Sequence, residues 1–222
     1  MIFIFDLDDT LYSERRFAES GFLAVARWLE NSFGWPSNET FQDMILALDK
    51  DGRGMVFNRI LEKKGVMTKR IVNTCIKMYR HHAPDISLEE STKNILSNIP
   101  KPLYLVTDGH KVVQQNKILA LEIEKYFKKV FITHRYGINK AKPSTYCFEL
   151  IRRIEKCDWG DMLYIGDNPE KDFVNLNPLG VRTIRVLTGG YSCVQAKQGF
   201  DALHTVESFC KLPELLEESG YV

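Results

Sequence analysis

The residues able to do chemistry come at once. The stretch "IFIFDLDDT", Ile2 to Thr10, runs four apolar residues into Asp6, Asp8 and Asp9. Side chains alternate along a strand, so two acids two apart can point to one place. On that rule Asp6 and Asp8 share a site, while Asp9 points elsewhere or belongs to the turn. Thr10 is suited to fixing that turn by a side-chain hydrogen bond. A second run, "LYLVTDGH", ends on Thr107 and continues with Asp108 and Gly109. A helix is expected near Lys111, and backbone amides at such a start can hold an anion. "INKAKPSTYCFEL" offers Lys142 before Pro143, which is expected to open a helix and favours Lys142 over Lys140. "LYIGDNPEKDF" delivers Asp167 as a strand ends and Asp172 a short turn later. Asp6, Asp8 and Asp167 are hard oxygen ligands of the kind Mg²⁺ takes. Thr107 and Lys142 can hold a phosphoryl group. Without metal and lysine, acids gathered so closely would repel each other.

Those residues need elements to carry them. Short apolar runs at Ile2–Phe5, Pro102–Val106, Val130–Thr133, Met162–Ile165 and Thr183–Val186 alternate with helix-like stretches. Continuous apolar runs of that length fit strands buried on both faces of a parallel sheet. The expectation is an α/β core with ligands bound outside the carboxyl ends of the strands. Between the first two runs the texture is helical. Phe17, Phe22, Val25, Ala26 and Leu29 recur at helical spacing, and further helices are expected over Glu39–Leu48, Met55–Lys64 and Thr68–His81. Breaks fall at Gly34–Trp35–Pro36, Asp51–Gly52 and Gly65. The division expected is residues 1–13 plus 85–222 for the core and 14–84 for an inserted helical bundle. Ser87 and Glu90 have the spacing of a capping box for a helix over Leu88–Asn98.

Composition excludes several function classes. Lys and Arg number 30 against 29 Asp and Glu, a formal charge of +1, with no basic patch to suggest nucleic acid. No apolar run approaches the ~20 residues that cross a bilayer, and no basic segment precedes the first apolar run as in a signal peptide. The cytoplasm is the expected location. The cysteines, Cys75, Cys147, Cys157, Cys193 and Cys210, are odd in number, scattered and without a C-x-x-C, so neither a disulfide frame nor a zinc site is expected. Phe22, Trp28, Phe33 and Trp35 read as core of the helical region. Arg15, Arg16, Arg53 and Arg59 are candidate contacts for an anionic substrate. Oligomeric state is not legible.

Taken together, "DLDDT", "LVTDG", "AKP" and "IGDNPEKD" resemble, in order and over nearly the whole chain, the four motifs of the haloacid dehalogenase-like hydrolase superfamily. The resemblance implies a Rossmann-like parallel-sheet core and, in the helical insertion, a cap domain; "LPELLEE" looks like the last helix of such proteins. It implies an enzyme whose cofactor is Mg²⁺ and whose partner is a small phosphorylated molecule. Asp6 would be the nucleophile and Asp8 the acid and base. Thr107 and Lys142 would complete the catalytic set, with Asp108 and Gly109 beside them at the phosphate. Asp6, Asp8, Asp167 and Asp172 would serve the metal, Asp172 directly or through water. Members that cleave carbon–halogen bonds lack an acid at the position of Asp8, which favours phosphate chemistry. A phosphatase is the leading expectation. The alternatives are a phosphomutase, a phosphoaspartate signalling domain and a non-catalytic phosphate-binding domain.

Overall fold

β1 (Ile2–Phe5) is buried along its whole length. It is an inner strand of a parallel sheet and needs apolar residues on both faces. The computed structural model describes all residues 1–222. Its sheet also contains β2 (Leu103–Thr107), β3 (Lys129–Ile132), β4 (Met162–Gly166), β5 (Arg182–Val186) and β6 (His204–Val206). The order is β3-β2-β1-β4-β5-β6, and every neighbouring pair is parallel. Ile2 and Ile4 join Tyr104, Phe131, Phe148 and Tyr164 in one apolar core. Phe5 meets Phe127 and Phe209 edge-on, each at 6.0 Å between centroids. The chain lays β2 and β3 on one side of β1 and β4 to β6 on the other. That reversal opens a crevice at the carboxyl ends of the strands beside β1, the Rossmann-like place for a ligand.

The chain divides into two compact units, Met1–Glu14 with Ser87–Val222, and Arg15–Ile86. The first holds the sheet with α5 (Glu90–Asn98), α6 (Lys111–Ala120), α7 (Tyr146–Glu155) and α8 (Leu212–Glu218). The second is helical: most of α1 (Glu14–Phe33), then α2 (Ser37–Asp51), α3 (Val56–Lys63) and α4 (Lys69–His81). Its core joins Phe22, Val25 and Leu29 of α1 to Met44, Ile60, Leu61 and Cys75. Gly34, Gly52 and Gly65 separate its helices with φ of 72°, 73° and 71°, where any side chain would be strained. Thr68 caps α4 by accepting from the Ile71 amide at 3.2 Å. Arg15 bonds Asp49 and Glu19, and Arg59 bonds Asp51, so these two arginines are engaged with acids. No helix is long and apolar enough to cross a membrane.

Two local expectations fail, and one strand goes unforeseen. Ser87 does not cap α5, which starts at Glu90 with no side-chain cap. Ile86 and Leu88, on either side of Ser87, are buried instead. Burying one such side chain contributes roughly 1.5–3 kcal/mol, against about 1 kcal/mol for a cap. Pro143 does not open α7. It sits in a turn closed by the Ser144 amide on the Ala141 carbonyl at 2.9 Å, and the helix begins at Tyr146. β6 has no apolar run to announce it: this three-residue edge strand buries only Val206.

Candidate active site

The ladder between β1 and β4 extends one residue past β1, through the Asp6 amide on the Ile165 carbonyl at 2.8 Å. The backbone then turns: the Leu7 carbonyl accepts from Leu11 at 3.0 Å and from Thr10 at 3.4 Å, and Asp9 adopts φ 52°. Period-two alternation therefore stops at Asp6, and Asp6 and Asp8 reach different partners. Asp9 is a structural residue. Its carboxylate accepts from the Glu14 amide at 2.8 Å where α1 begins, and it lies where a Cβ on Gly189 would stand, 2.1 Å from the Asp9 Cγ. The turn is not held by Thr10, whose hydroxyl is buried and unbonded; Thr188 bonds the Asp9 carbonyl instead.

Asp6, Asp167 and Asp172 converge, with ligand oxygens within 4.8 Å of one another, all buried. Asp172 joins them because Gly166 has no side chain: a Cβ there would come within 2.6 Å of Asp172 Oδ2. Asp172 lies in a run of turns, not in the first turn of a helix. The Asn168 amide donates to its Oδ2 at 2.9 Å and the Tyr164 hydroxyl to its Oδ1 at 3.1 Å. Lys142 Nζ stands 2.7 Å from Asp172 Oδ1 and 2.9 Å from Asp6 Oδ1, and donates to the Tyr164 hydroxyl at 2.8 Å. Its approach to Asp6 is a contact of charges off the hydrogen-bond direction, so the buried Asp6 Oδ1 accepts no hydrogen bond. Lys140 stays outside, over the Tyr146 ring.

Burial dominates the charge states. It lifts the Asp6 carboxyl to about 7 against the pull of Lys142, with Asp172 adding to the lift. Burial, then Asp6 and Asp172, lifts Asp167 to about 9. Burial alone would lower Lys142, but Asp172 and Asp6 outweigh it and hold the ammonium well above the usual lysine range. Lys171, paired with Asp108, adds a weaker pull on Asp6, so three buried acids have one lysine in contact and a second at longer range.

The Asp8 carboxylate lies outside that cluster of three, although it was expected beside them. Its Oδ1 accepts from the Tyr12 hydroxyl at 2.7 Å and from Lys117 Nζ at 2.6 Å; its Oδ2 accepts from Gln114 Nε2 at 2.8 Å. Gln114 also donates to Thr107 Oγ1 at 2.6 Å, so the Thr107 proton is left to point elsewhere. Gly109 has φ 135° and packs its open side against the Gln114 side chain. The Asp108 carboxylate is engaged by Thr133, by the Lys142 amide at 3.1 Å and by Lys171 at 3.3 Å. Burial would raise its pKa, but these partners, Lys171 first, hold it below the usual range.

Tyr12, Gln114, Lys117, Tyr164 and Lys171 were not among the sequence candidates. Tyr164 had a signal: a tyrosine inside a buried strand must find a partner for its hydroxyl. Gln114 and Lys117 are three apart on α6 and therefore neighbours on its surface, but a polar pair there reads as solvent-facing.

The family model of haloacid dehalogenase-like hydrolases matches residues 3–186. Glyceraldehyde 3-phosphate phosphatase of Methanocaldococcus jannaschii is 25% identical over 227 residues, covering 96% of each chain. Human N-acylneuraminate-9-phosphatase is 24% identical, covering 96% of this chain and 92% of its own. Among solved structures, a HAD-hydrolase of Bacillus subtilis bound to magnesium superposes with a TM-score of 0.68 at 17% identity, covering 97% of both chains. With the family model spanning most of its length, the chain belongs to the haloacid dehalogenase-like hydrolase family, as a member of the phosphatase type.

Proposed function

We propose that this chain is a Mg²⁺-dependent phosphatase that hydrolyses a small phosphomonoester through an aspartyl-phosphate on Asp6, with the Arg15–Ile86 unit as the cap that selects the substrate. The observation that carries the reading is the gathering of Asp6, Lys142, Asp167 and Asp172 beside the carboxyl end of β1, with Asp8 in the turn that follows β1 and Thr107 at the end of β2. The donor set fits the cation. Three buried carboxylates offer hard oxygens, Asp6 Oδ1 lacks a hydrogen bond, and burial, with the neighbouring carboxylates adding to it, lifts Asp6 and Asp167. Asp6, Asp167 and Asp172 would hold Mg²⁺. When bound, the ion would offset carboxylate charge and the charge that moves across the phosphoryl oxygens.

The chain's own residues then divide the work. A carboxylate oxygen of Asp6 attacks phosphorus, and the bond to the leaving oxygen breaks as Asp8 supplies that oxygen with a proton. Asp8 next takes a proton from the water that attacks the phosphorus of the aspartyl-phosphate, which frees inorganic phosphate and restores Asp6. Thr107, already accepting from Gln114, has its own O–H to give to a phosphoryl oxygen. Lys142 counters the charge on Asp6, and the amides of Asp108 and Gly109 line the same strand end. An alkoxide leaving group needs a proton that a halide does not, which is why Asp8 favours phosphate chemistry.

The relatives' names point to two unlike small phosphomonoesters, so the substrate is best sought by a panel containing both glyceraldehyde 3-phosphate and N-acylneuraminate 9-phosphate. Inorganic phosphate release is expected with Mg²⁺ and is expected to vanish in excess chelator. Full turnover in chelator would remove the metal from the reading. Transfer of phosphate to a sugar without net release would make the enzyme a mutase.

A further inference from the structure

We infer that Gln114 and Lys117 on α6 are positioning residues for the proton-transfer half of the reaction. The inference rests on the reading of Asp8 as acid and base. Asp8 leaves β1 through a turn, so the sheet does not fix its side chain. Three donors fix it instead, and two come from α6. Lys117 is 1% exposed, and its ammonium joins Asp8 Oδ1 at 2.6 Å to Glu14 Oε1 at 3.0 Å. A lysine is seldom buried unless its charge is matched, and here two carboxylates match it. Gln114 is 2% exposed, and its amide bonds both Asp8 Oδ2 and Thr107 Oγ1. An ionised carboxylate only accepts, so the NH₂ end of the amide must face it. The same NH₂ then fills an acceptor site on Thr107 and turns that hydroxyl's proton outward. Gln114 thus locks the proton-transfer acid to the phosphate-holding hydroxyl, and Lys117 anchors the pair from below.

The consequence is kinetic and step-specific. Nucleophilic attack by Asp6 depends on Lys142 and the carboxylate cluster, which neither residue touches. Proton delivery and water activation depend on where Asp8 points, and a misplacement on the order of 1 Å can cost about 10²-fold. Gln114→Met and Lys117→Met keep side-chain length and remove the donors; Lys117→Arg keeps the charge.

With 4-nitrophenyl phosphate and Mg²⁺, Gln114→Met should show a burst of nitrophenolate near one equivalent, then a steady rate about 10²-fold below wild type. Phosphate should be recovered on Asp6 after acid quench. KM should rise for Gln114→Met, which also frees Thr107, and stay near wild type for Lys117→Met, and a primary alkyl phosphate should suffer more than the aryl one. Lys117→Met should act in the same direction, and Lys117→Arg should recover part of the loss. Should Lys117→Met not fold, Gln114→Met decides alone. Wild-type kcat on both substrates in folded Gln114→Met overturns the inference. So does a smaller active fraction with unchanged rate constants, the mark of a purely structural role. Wild-type enzyme that releases no phosphate from any phosphomonoester overturns the phosphatase reading first, an outcome distinct from both.

Discussion

The two halves of the site solve the same problem in opposite ways. Each holds a carboxylate that follows β1, Asp6 buried and Asp8 half-buried. Around Asp8 the chain supplies its own compensation: a buried lysine, a glutamine and a tyrosine occupy both carboxylate oxygens. Around Asp6 the compensation is incomplete. Lys142 alone touches the cluster of three buried acids, Lys171 acts on Asp6 only from its place beside Asp108, and Asp6 Oδ1 accepts no hydrogen bond. A polar cluster satisfied by its own protein is rigid and finished. One left short of positive charge is costly until something arrives. The contrast locates where a cation and an anionic substrate would be wanted, and where only a fixed geometry is.

Asp6→Asn breaks the contrast most severely. It removes the nucleophile and one charge from the uncompensated half. Turnover should fall by at least about 10⁴-fold, the scale on which removal of a catalytic nucleophile is felt. Stability at pH 8 without metal should hold or rise, since a raised carboxyl is a destabilising one when ionised. Phosphate release and thermal melts read the two effects separately, and a lower melting temperature would contradict the account of Asp6 as a strained charge.

Metal and pH sharpen it next. The folded-state carboxyls of Asp6 and Asp167 lie above their ordinary value of 3.8. The folded protein therefore binds more protons than the unfolded chain between that value and the folded pKa. The contribution of these two groups to stability without metal then falls as pH rises across the window from about 4 to about 9. A cation that binds only the folded, ionised site restores it. Melts in chelator and in Mg²⁺ at pH 5 and pH 8 should show the larger stabilisation at pH 8. An equal shift at both would mean that the ion sits elsewhere.

Glu14→Gln tests the compensated half and should do least. Lys117 keeps Asp8 and gains an amide oxygen in place of a carboxylate. A loss of about 1 kcal/mol in stability is expected, as for one hydrogen bond weakened, with kcat changed only a few-fold. A collapse of activity would show that Glu14 does more than balance charge.

What the sequence discloses follows from where each residue sits. β1 to β4 and most of β5 are legible because strands buried on both faces are written in consecutive apolar residues. β6 is an edge strand of three residues and is written in almost nothing. Asp6, Thr107 and Asp167 are visible at strand ends, where a polar residue after an apolar run has few reasons to be. Asp172 is visible by motif, but its place in the carboxylate cluster depends on the bare backbone of Gly166. Lys117 is invisible. Its burial is set by Asp8, 109 residues earlier, and nothing in the local pattern of α6 separates a buried lysine from a solvated one. The direction of Asp8 is lost for a related reason: a turn at Asp9 ends the alternation that would have been used to infer it.

The central position of β1 has a consequence for how the protein is made. Phe3 pairs with Leu103 and with Leu163, so both neighbours of β1 are synthesised long after it. At roughly 5–20 residues per second, the first partner follows on the order of 10 s later. Through that interval "IFIF" is an unpaired hydrophobic strand, the kind of segment that joins copies of itself. The acids directly behind it put like charges on every such copy, the role of residues that flank aggregation-prone strands. Nascent chains halted before Leu103 should then stay soluble as wild type and associate when Asp8 and Asp9 are both changed to Asn. The carboxylates that open the active site would thus have an earlier task, keeping the strand that carries them single until its neighbours exist.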